Sequence, residues 1–325
     1  MRTAAAIKIG PLLPEDVKRV RQLFEASANQ QFVIERQCDN VNGPPPTFSR
    51  DQLWYVLIGC LLTTQQRSTR GSPINRFLEM EPFPLALSKC NTGNISTLVE
   101  TEIKKHGGIR RGPTIGRQAQ VNFDRLESGE WRNAELTFRA LLEQRKRSPA
   151  SADKEAERGA ARWVADTFAG FGPKQARNLW QWLGLTRYEI PLDSRVSDWI
   201  NKNLSVNVKA SRLPDSRYYE AVLDYVQELC EGAGVLPCMF DAAAFRYDDA
   251  EDKAGSGNTG TTRSGYVNRH EQVVVRNTGQ NGTDHFQFVY QLACSRCGHT
   301  YGANGSDIFE RKCPNCQGGK PGLVL

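Results

Sequence analysis

Through the first 250 residues the apolar positions recur at helical spacing. In PEDVKRVRQLFEASANQQF, Val17, Val20, Leu23 and Phe24 fall on one face, and in NAELTFRALLEQRKR so do Leu136, Phe138, Leu141 and Leu142. DSRYYEAVLDYVQELCEGAG sets Tyr219, Val222, Leu223, Val226 and Leu229 on a third such face, with Gly232 and Gly234 placed to end the helix. The segment SRDQLWYVLIGCLLTTQQRST differs: Ser49 and Gln52 form a capping-box signature, and the run from Leu53 to Leu62 is nearly all apolar. A helix apolar on every side belongs in the middle of a core. No comparable alternation of strand type occurs before residue 260, so residues 1–247 are expected to be all-α or close to it.

The pattern then breaks. YDDAEDKAGSGNTGTTRSG is acidic, then rich in Gly, Ser and Thr, with almost nothing to bury, which predicts a flexible linker over 248–264. Beyond it, Gln272 to Arg276 and Phe286 to Leu292 are β-rich runs separated by the turn residues NTGQNGTD, a hairpin in a second small domain over 265–325.

Composition narrows the picture only a little. A chain of 325 residues with 39% hydrophobic content can bury a sizeable core without disulfides, and its net charge of +6 tilts the partner list toward polyanions. No run of eighteen apolar residues is present, and Lys8, Pro11 and Pro14 interrupt the N-terminal segment, so neither a membrane span nor a signal peptide is expected. Nine cysteines, five of them scattered (Cys38, Cys60, Cys90, Cys230, Cys238), fit reduced thiols in a cytoplasmic protein better than a secreted disulfide framework.

The other four are not scattered. Cys294-x2-Cys297 and Cys313-x2-Cys316 stand fifteen residues apart. Each pair turns tightly enough to present two thiolates, and two such turns complete a tetrahedral zinc shell. Gly298, Pro314 and Gly318 suit the turns. A redox dithiol is the alternative, but it needs one such pair beside a helix rather than two in a β-rich tail. With four thiolate ligands the Zn2+ has no open position, so its role is structural and supplies folding energy to a domain with little core. The ribbon resembles zinc ribbons appended to nucleic-acid enzymes. Arg296, Arg311, Lys312 and Lys320 can face phosphate or stand in solvent, and the sequence does not choose.

The chemistry-bearing stretch is GFGPKQARNLWQWLGLTRYEIPLDSRV, residues 170–196. Trp163, Val164, Thr167 and Phe168 end one helix. Gly170, Phe171 and Gly172 make a tight turn, and after Pro173 and Lys174 a second helix packs Ala176, Leu179, Trp180 and Leu183 inward. Helix, glycine hairpin, helix is an anion clamp, because backbone N–H groups at the turn and the helix start point toward a phosphate. Asp193 follows nineteen residues after Lys174, before the helix SRVSDWINKNL, which it is placed to cap.

Together these stretches resemble the helix-hairpin-helix base-excision DNA glycosylases, closest in layout to the lyase-competent, oxoguanine-type branch. The resemblance runs over residues 50–245 in order of elements and is specific in three places: the hairpin with Lys174, Asp193, and LLTTQQRST, where Gln65, with Gln66 beside it, matches a residue that fills the gap left by a flipped base. It implies a mainly α glycosylase fold followed by the zinc ribbon. It further implies DNA with a modified base as partner, a monomer, and Lys174 and Asp193 as catalytic pair, with Gln65, Gln66, Gly170, Phe171, Gly172 and Pro173 on DNA. Ser194 and Arg195 depart from the aromatic or histidine pattern of many members. Cys230 and Cys238 lack the spacing of the branch that carries an iron–sulfur cluster, so none is expected.

In such an enzyme the base must leave the stack before C1′ is reachable. A neutral Lys174 amine would attack, Asp193 would stabilise the cationic sugar and relay protons, and β-elimination from the Schiff base would cut the strand. A monofunctional enzyme using Asp193 to activate water, and a non-catalytic two-module DNA-binding protein, are the alternatives. Oxidised purine, alkylated base and modified pyrimidine are all open as substrates, as is a hypermodified phage base and with it antiviral defence. Trp180 or Trp182 can offer a stacking surface, although aromatics at this spacing are more often core. His106 marks a basic loop, and Asp241 matches a place where some relatives have a helix-capping acid facing the pocket, capping alone being the expected role.

Overall fold

Pro14, with φ already fixed for a first helical turn, starts α1 (Pro14–Ser27), and α2 (Gln31–Gln37) follows. The computed structural model describes residues 7–66, 68, 71–90, 93–147, 153–254, 261–262, 265–281, 283, 288–305 and 307–324. The Ser49 hydroxyl accepts from the Gln52 N–H at 3.3 Å and opens α3 (Arg50–Leu62), whose side chains from Leu53 to Leu62, Tyr55 apart, are buried. Each fully buried aliphatic or aromatic side chain there is worth about 1.5–3 kcal/mol, which explains why the all-round apolar helix forms the centre of the core.

Around α3 run α4 (Pro73–Leu78), α5 (Leu87–Cys90), α6 (Ile95–His106), α7 (Gly112–Arg125) and α8 (Trp131–Lys146). Then follow α9 (Lys154–Thr167), α10 (Pro173–Trp182), α11 (Ser194–Asn203), α12 (Ser216–Ala233) and α13 (Pro237–Ala254). In α8 the buried stripe is Trp131, Ala134, Phe138 and Leu141, while Leu136, predicted to face inward, is 56% exposed. A 3.6-residue period anchored on Phe138 carries position 136 to the opposite side. On α12 all five predicted apolar residues are buried, and Gly234, left-handed at φ +70, ends the helix. Gly232 does not end it: it sits inside the last turn, where an added Cβ would lie 3.2 Å from Val17 of α1.

The chain divides into two units, Met1–Arg246 and Tyr247–Leu325. The predicted linker is helical as far as Ala254, where α13 ends, and much of its remainder (255–260, 263 and 264) lies outside the described residues. The second unit holds β1 (Gln272–Asn281), β2 (Phe288–Cys294) and β3 (Thr300–Asn304), antiparallel in the order β1-β2-β3. Strand β3 is not legible in the sequence. Its Gly302 exchanges backbone hydrogen bonds with Leu323 at 2.8 and 3.0 Å, and a Cβ there would meet the Leu323 carbonyl oxygen at 2.7 Å. Register sets Leu292 between Val274 and Tyr301, and with Ile308 these form the small core. The architecture is thus the expected mainly helical domain followed by a small β-rich, cysteine-bearing one.

Candidate active site

The hairpin between α9 and α10 is held from behind. Asn122 of α7 brackets Ala169, accepting from its N–H at 2.6 Å and donating to its carbonyl at 3.0 Å. Gly170 turns at φ +86, and a Cβ there would fall 2.6 to 2.8 Å from the Gln118 side chain. Gly170 and Gly172 are exposed. Phe171 is not: its ring is 5% exposed and packs on Phe168, so from this residue only backbone is left to meet a phosphate. Pro173 starts α10.

In the first turn of α10, Lys174 Nζ lies 4.0 Å from Asp193 Oδ2. The two oxygens of Asp193 divide their tasks. Oδ1 caps α11, accepting from the Arg195 and Val196 N–H groups at 3.0 and 3.1 Å. Oδ2 faces Lys174 and also accepts from Arg195 Nε and Nη2 at 3.0 and 2.7 Å. Burial opposes ionisation of Asp193, yet the charges of Arg195 and Lys174, with the hydrogen bonds from Arg195 and Val196, outweigh it and hold the carboxyl below its ordinary range. Beneath the pair, burial pushes the Cys60 thiol up to about 12, so it is a neutral neighbour at pH 7. Gln175 fixes the start of α10 to the end of α3, donating to the Cys60 carbonyl at 2.7 Å and to Thr64 Oγ1 at 2.8 Å.

Residues 183–192 must bring Asp193 back to Lys174, and two buried acids of the chain fix their course. Glu157 of α9 accepts from the backbone N–H groups of Arg187, Tyr188 and Glu189 at 2.8 to 2.9 Å. Burial raises its pKa to about 7 against the pull of those three donors. Glu189, fully buried, accepts from Arg158 of α9 at 3.0 Å and from Arg177 of α10 at 2.7 Å. Tyr219 completes the path: its hydroxyl accepts from the Leu192 N–H at 2.6 Å and donates to the Ile190 carbonyl at 2.9 Å.

Gln65 is exposed in the left-handed region, φ +58, and its carbonyl accepts from Arg110 Nη2 at 3.1 Å. Gln66 spends its amide inside the protein, accepting from the Arg110 N–H at 2.7 Å and donating to the Leu62 and Arg110 carbonyls. It ties the Gln65 turn to the basic loop and is no free DNA ligand. His106 Nε2–H donates to the Pro73 carbonyl at 2.9 Å, and its ring packs edge-on against Phe77.

Lys174 and Asp193 line a pocket of about 360 Å3. Trp180 is core, its indole N–H given to the Ala160 carbonyl at 3.1 Å, whereas Trp182 lines the pocket and covers Gly59. Asp241 lies in the second turn of α13 rather than at a cap position, which corrects the capping expectation. It also lines the pocket, 3.7 Å from Arg36 Nη2, and burial raises its pKa to about 6 against the pull of Arg36.

In the second unit the four predicted cysteines come together, their sulfur atoms all within 4.8 Å of one another and two pairs at 3.6 Å. Tetrahedral zinc with Zn–S bonds of about 2.3 Å requires sulfurs roughly 3.8 Å apart, so the cluster fits a structural zinc site. Gly298 and Gly318 take φ +71 and +64 in the two turns, as the sequence suggests.

Arg195, Arg110, Glu157 and Glu189 are the site residues missed in the sequence. A signal exists for Glu189, a charge between Tyr188 and Ile190 in a stretch that otherwise reads as core, but none for Glu157, which stands among Asp153, Lys154, Glu155 and Arg158. No protein-family model matches the chain, and no curated protein matches it in sequence. Among solved structures it is similar to the 8-oxoguanine DNA glycosylase of Methanocaldococcus jannaschii, at 13% identity and TM-score 0.47, over 72% of this chain and 94% of that one. It is also similar to the 8-oxoguanine DNA glycosylase of Thermotoga maritima, at 14% identity and TM-score 0.40, over 71% and 94%. A likeness of that degree leaves the chemistry to be argued from the residues.

Proposed function

We propose that the chain is a DNA N-glycosylase with AP-lyase activity, which flips a modified base out of the duplex and excises it with Lys174 and Asp193. The observation that supports this most is the Lys174–Asp193 pair, 4.0 Å apart and lining a pocket directly after a glycine hairpin. Exposed Gly170 and Gly172, with the start of α10, form the backbone clamp for the phosphate beside the lesion. Exposed Gln65 fills the vacated space, and Gln66 with Arg110 holds it there. Flipping costs a few kcal/mol, least for a base already poorly paired.

As the C1′–N bond breaks, its electron pair leaves with the base, and the Asp193 carboxylate faces the developing positive charge. The Lys174 amine, its proton passed on, forms the bond to C1′. The C1′–O4′ bond then breaks, its electron pair going to O4′, which takes up a proton, while the amine nitrogen lone pair forms the C1′=N bond of the Schiff base; removal of a C2′ proton then makes the C2′–C3′ double bond and expels the 3′ phosphate. Arg195 fixes the Asp193 carboxylate in the required orientation. The four thiolates of the second unit hold Zn2+ structurally, and the protein acts as a monomer on DNA.

The substrate is either an oxidised base or a hypermodified phage base, and mass spectrometry of bases released from phage DNA with and without modification separates repair from defence. Borohydride trapping on an abasic oligonucleotide tests the chemistry: a covalent adduct is expected in wild type and none in Lys174→Ala. Release of free base without a nick or adduct would leave a monofunctional enzyme. Duplex binding with neither product would leave a DNA-binding protein without chemistry.

A further inference from the structure

The pocket holds polar groups that the chemistry at C1′ does not use. Asp241 is 7% exposed, and its closest polar contact among the described residues is Arg36 Nη2 at 3.7 Å, an ion pair longer than a hydrogen bond. Arg36 itself has a buried Nε without a hydrogen-bond partner. Gln181, 1% exposed and in the lining of the same pocket, has neither its amide oxygen nor its amide nitrogen satisfied. Asn40 beside them is not free, because its amide nitrogen serves the carbonyls of Gln181 and Thr186, both at 3.0 Å. Buried polar groups are nearly always paired; the Gln181 amide atoms and Arg36 Nε are enclosed with no accessible surface, which leaves Asp241 as the pocket-lining carboxylate that is open to a ligand and has no hydrogen bond among the described residues.

Two aromatic rings stand with them, their faces taken by each other and by arginine. Phe32 and Phe245 stack at 4.8 Å, and the Arg195 guanidinium lies 3.9 Å over Phe245. All of these side chains line the pocket. A carboxylate only accepts and a guanidinium only donates. Side by side they complement a donor next to an acceptor, as in an exocyclic amino group beside a ring nitrogen or carbonyl.

We infer that Asp241 reads the flipped base by accepting a hydrogen bond from an exocyclic amino group, with Arg36 donating to the neighbouring acceptor. The pocket therefore takes amino-bearing bases and turns away those with a carbonyl at that position. A carbonyl oxygen there would face the Asp241 carboxylate and leave it buried and unpaired, the arrangement that gives sites built for an N–H or O–H their discrimination. This rests on the glycosylase reading, since it needs a base in the pocket.

The test uses the full-length protein and duplex oligonucleotides carrying one 2′-fluoroarabino nucleotide, which resists excision, opposite an abasic analogue so that pairing strength does not enter. Two matched pairs exchange amino for carbonyl and, with it, the neighbouring ring-nitrogen acceptor for an N–H donor, so that both the Asp241 and the Arg36 contacts reverse: cytosine and uracil, adenine and hypoxanthine. The amino member of each pair should bind at least about tenfold more tightly to wild type. Asp241→Asn, whose amide can also donate to a carbonyl, should erase or reverse the ratio, and Asp241→Glu should keep its sign. Equal or tighter binding of the carbonyl members to wild type would overturn the inference, whether or not the variants fold. So would an unchanged ratio in a folded Asp241→Asn. Borohydride trapping of wild type on an abasic site, which holds no base to read, separates the two failures: an adduct without the base preference overturns only the role of Asp241.

Discussion

Glu189 is where the account can be pressed hardest. Its carboxylate has no exposure and accepts three hydrogen bonds, from Arg158 Nε at 3.0 Å, Arg177 Nε at 2.7 Å and Gln227 Nε2 at 3.1 Å, with Arg158 Nη2 a further ion-pair contact at 2.9 Å. In Glu189→Gln one oxygen becomes an NH2 that must face a guanidinium, and the charge that both arginines share is gone. Arg177, 3% exposed, keeps only Glu220 at 3.9 Å as a carboxylate partner. Breaking one side of a buried pair costs about 3–5 kcal/mol, and at about 2–4 °C per kcal/mol for a domain of this size the midpoint should fall by roughly 6–20 °C. All six tryptophans precede residue 200, so tryptophan fluorescence reports the helical unit alone. The same change loosens the segment that delivers Asp193, and adduct formation on an abasic oligonucleotide should slow at temperatures where the variant is still folded. Glu189→Leu with Arg177→Met, which removes the pair together, should recover much of the lost stability. A Glu189→Gln midpoint within 2 °C of wild type would refute the reasoning that this pair holds the site together.

Other consequences follow from the same geometry. Because Asp193 has a folded-state pKa below its ordinary 3.8, its stabilisation is present above that value and lost as pH falls through it. Asp193→Asn should therefore flatten the acid limb of thermal stability below about pH 4, keep a competent cap for α11, and abolish adduct formation. Gly170→Ala, forced to φ +86 with its Cβ against Gln118, should cost more than about 1 kcal/mol by urea unfolding and weaken duplex binding. Removal of zinc with a chelator should expose the thiols of Cys294, Cys297, Cys313 and Cys316 to alkylation without moving the tryptophan transition. Thiols that react equally before chelation would count against a metal in that cluster.

The interval from Lys174 to Asp193 is legible in the sequence because local rules fix both ends: a glycine turn and Pro173 start one helix, and Asp193 caps the next. What lies between is not legible. The segment closes through Glu157, Glu189 and Tyr219, whose partners are distant in sequence, and no periodicity reports a hydrogen bond from α9 or α12 to a loop. Gln66 shows the same limit in reverse. It lies beside Gln65 in a motif, yet its amide is consumed by Arg110, a contact across 44 residues. By sequence position Phe171 belongs to the clamp, yet an aromatic between two exposed glycines has reason to turn inward, and it is buried. Strand β3 carries no strand pattern because its Gly302 serves the close backbone approach to Leu323.

The central claim is that Lys174 is the nucleophile, and the site of the trapped adduct tests it most directly. Wild-type protein reduced with borohydride on an abasic oligonucleotide, digested and mapped by mass spectrometry, should carry the sugar remnant on the Lys174 amine. An adduct on another amine, or an undiminished adduct in Lys174→Ala, would contradict it.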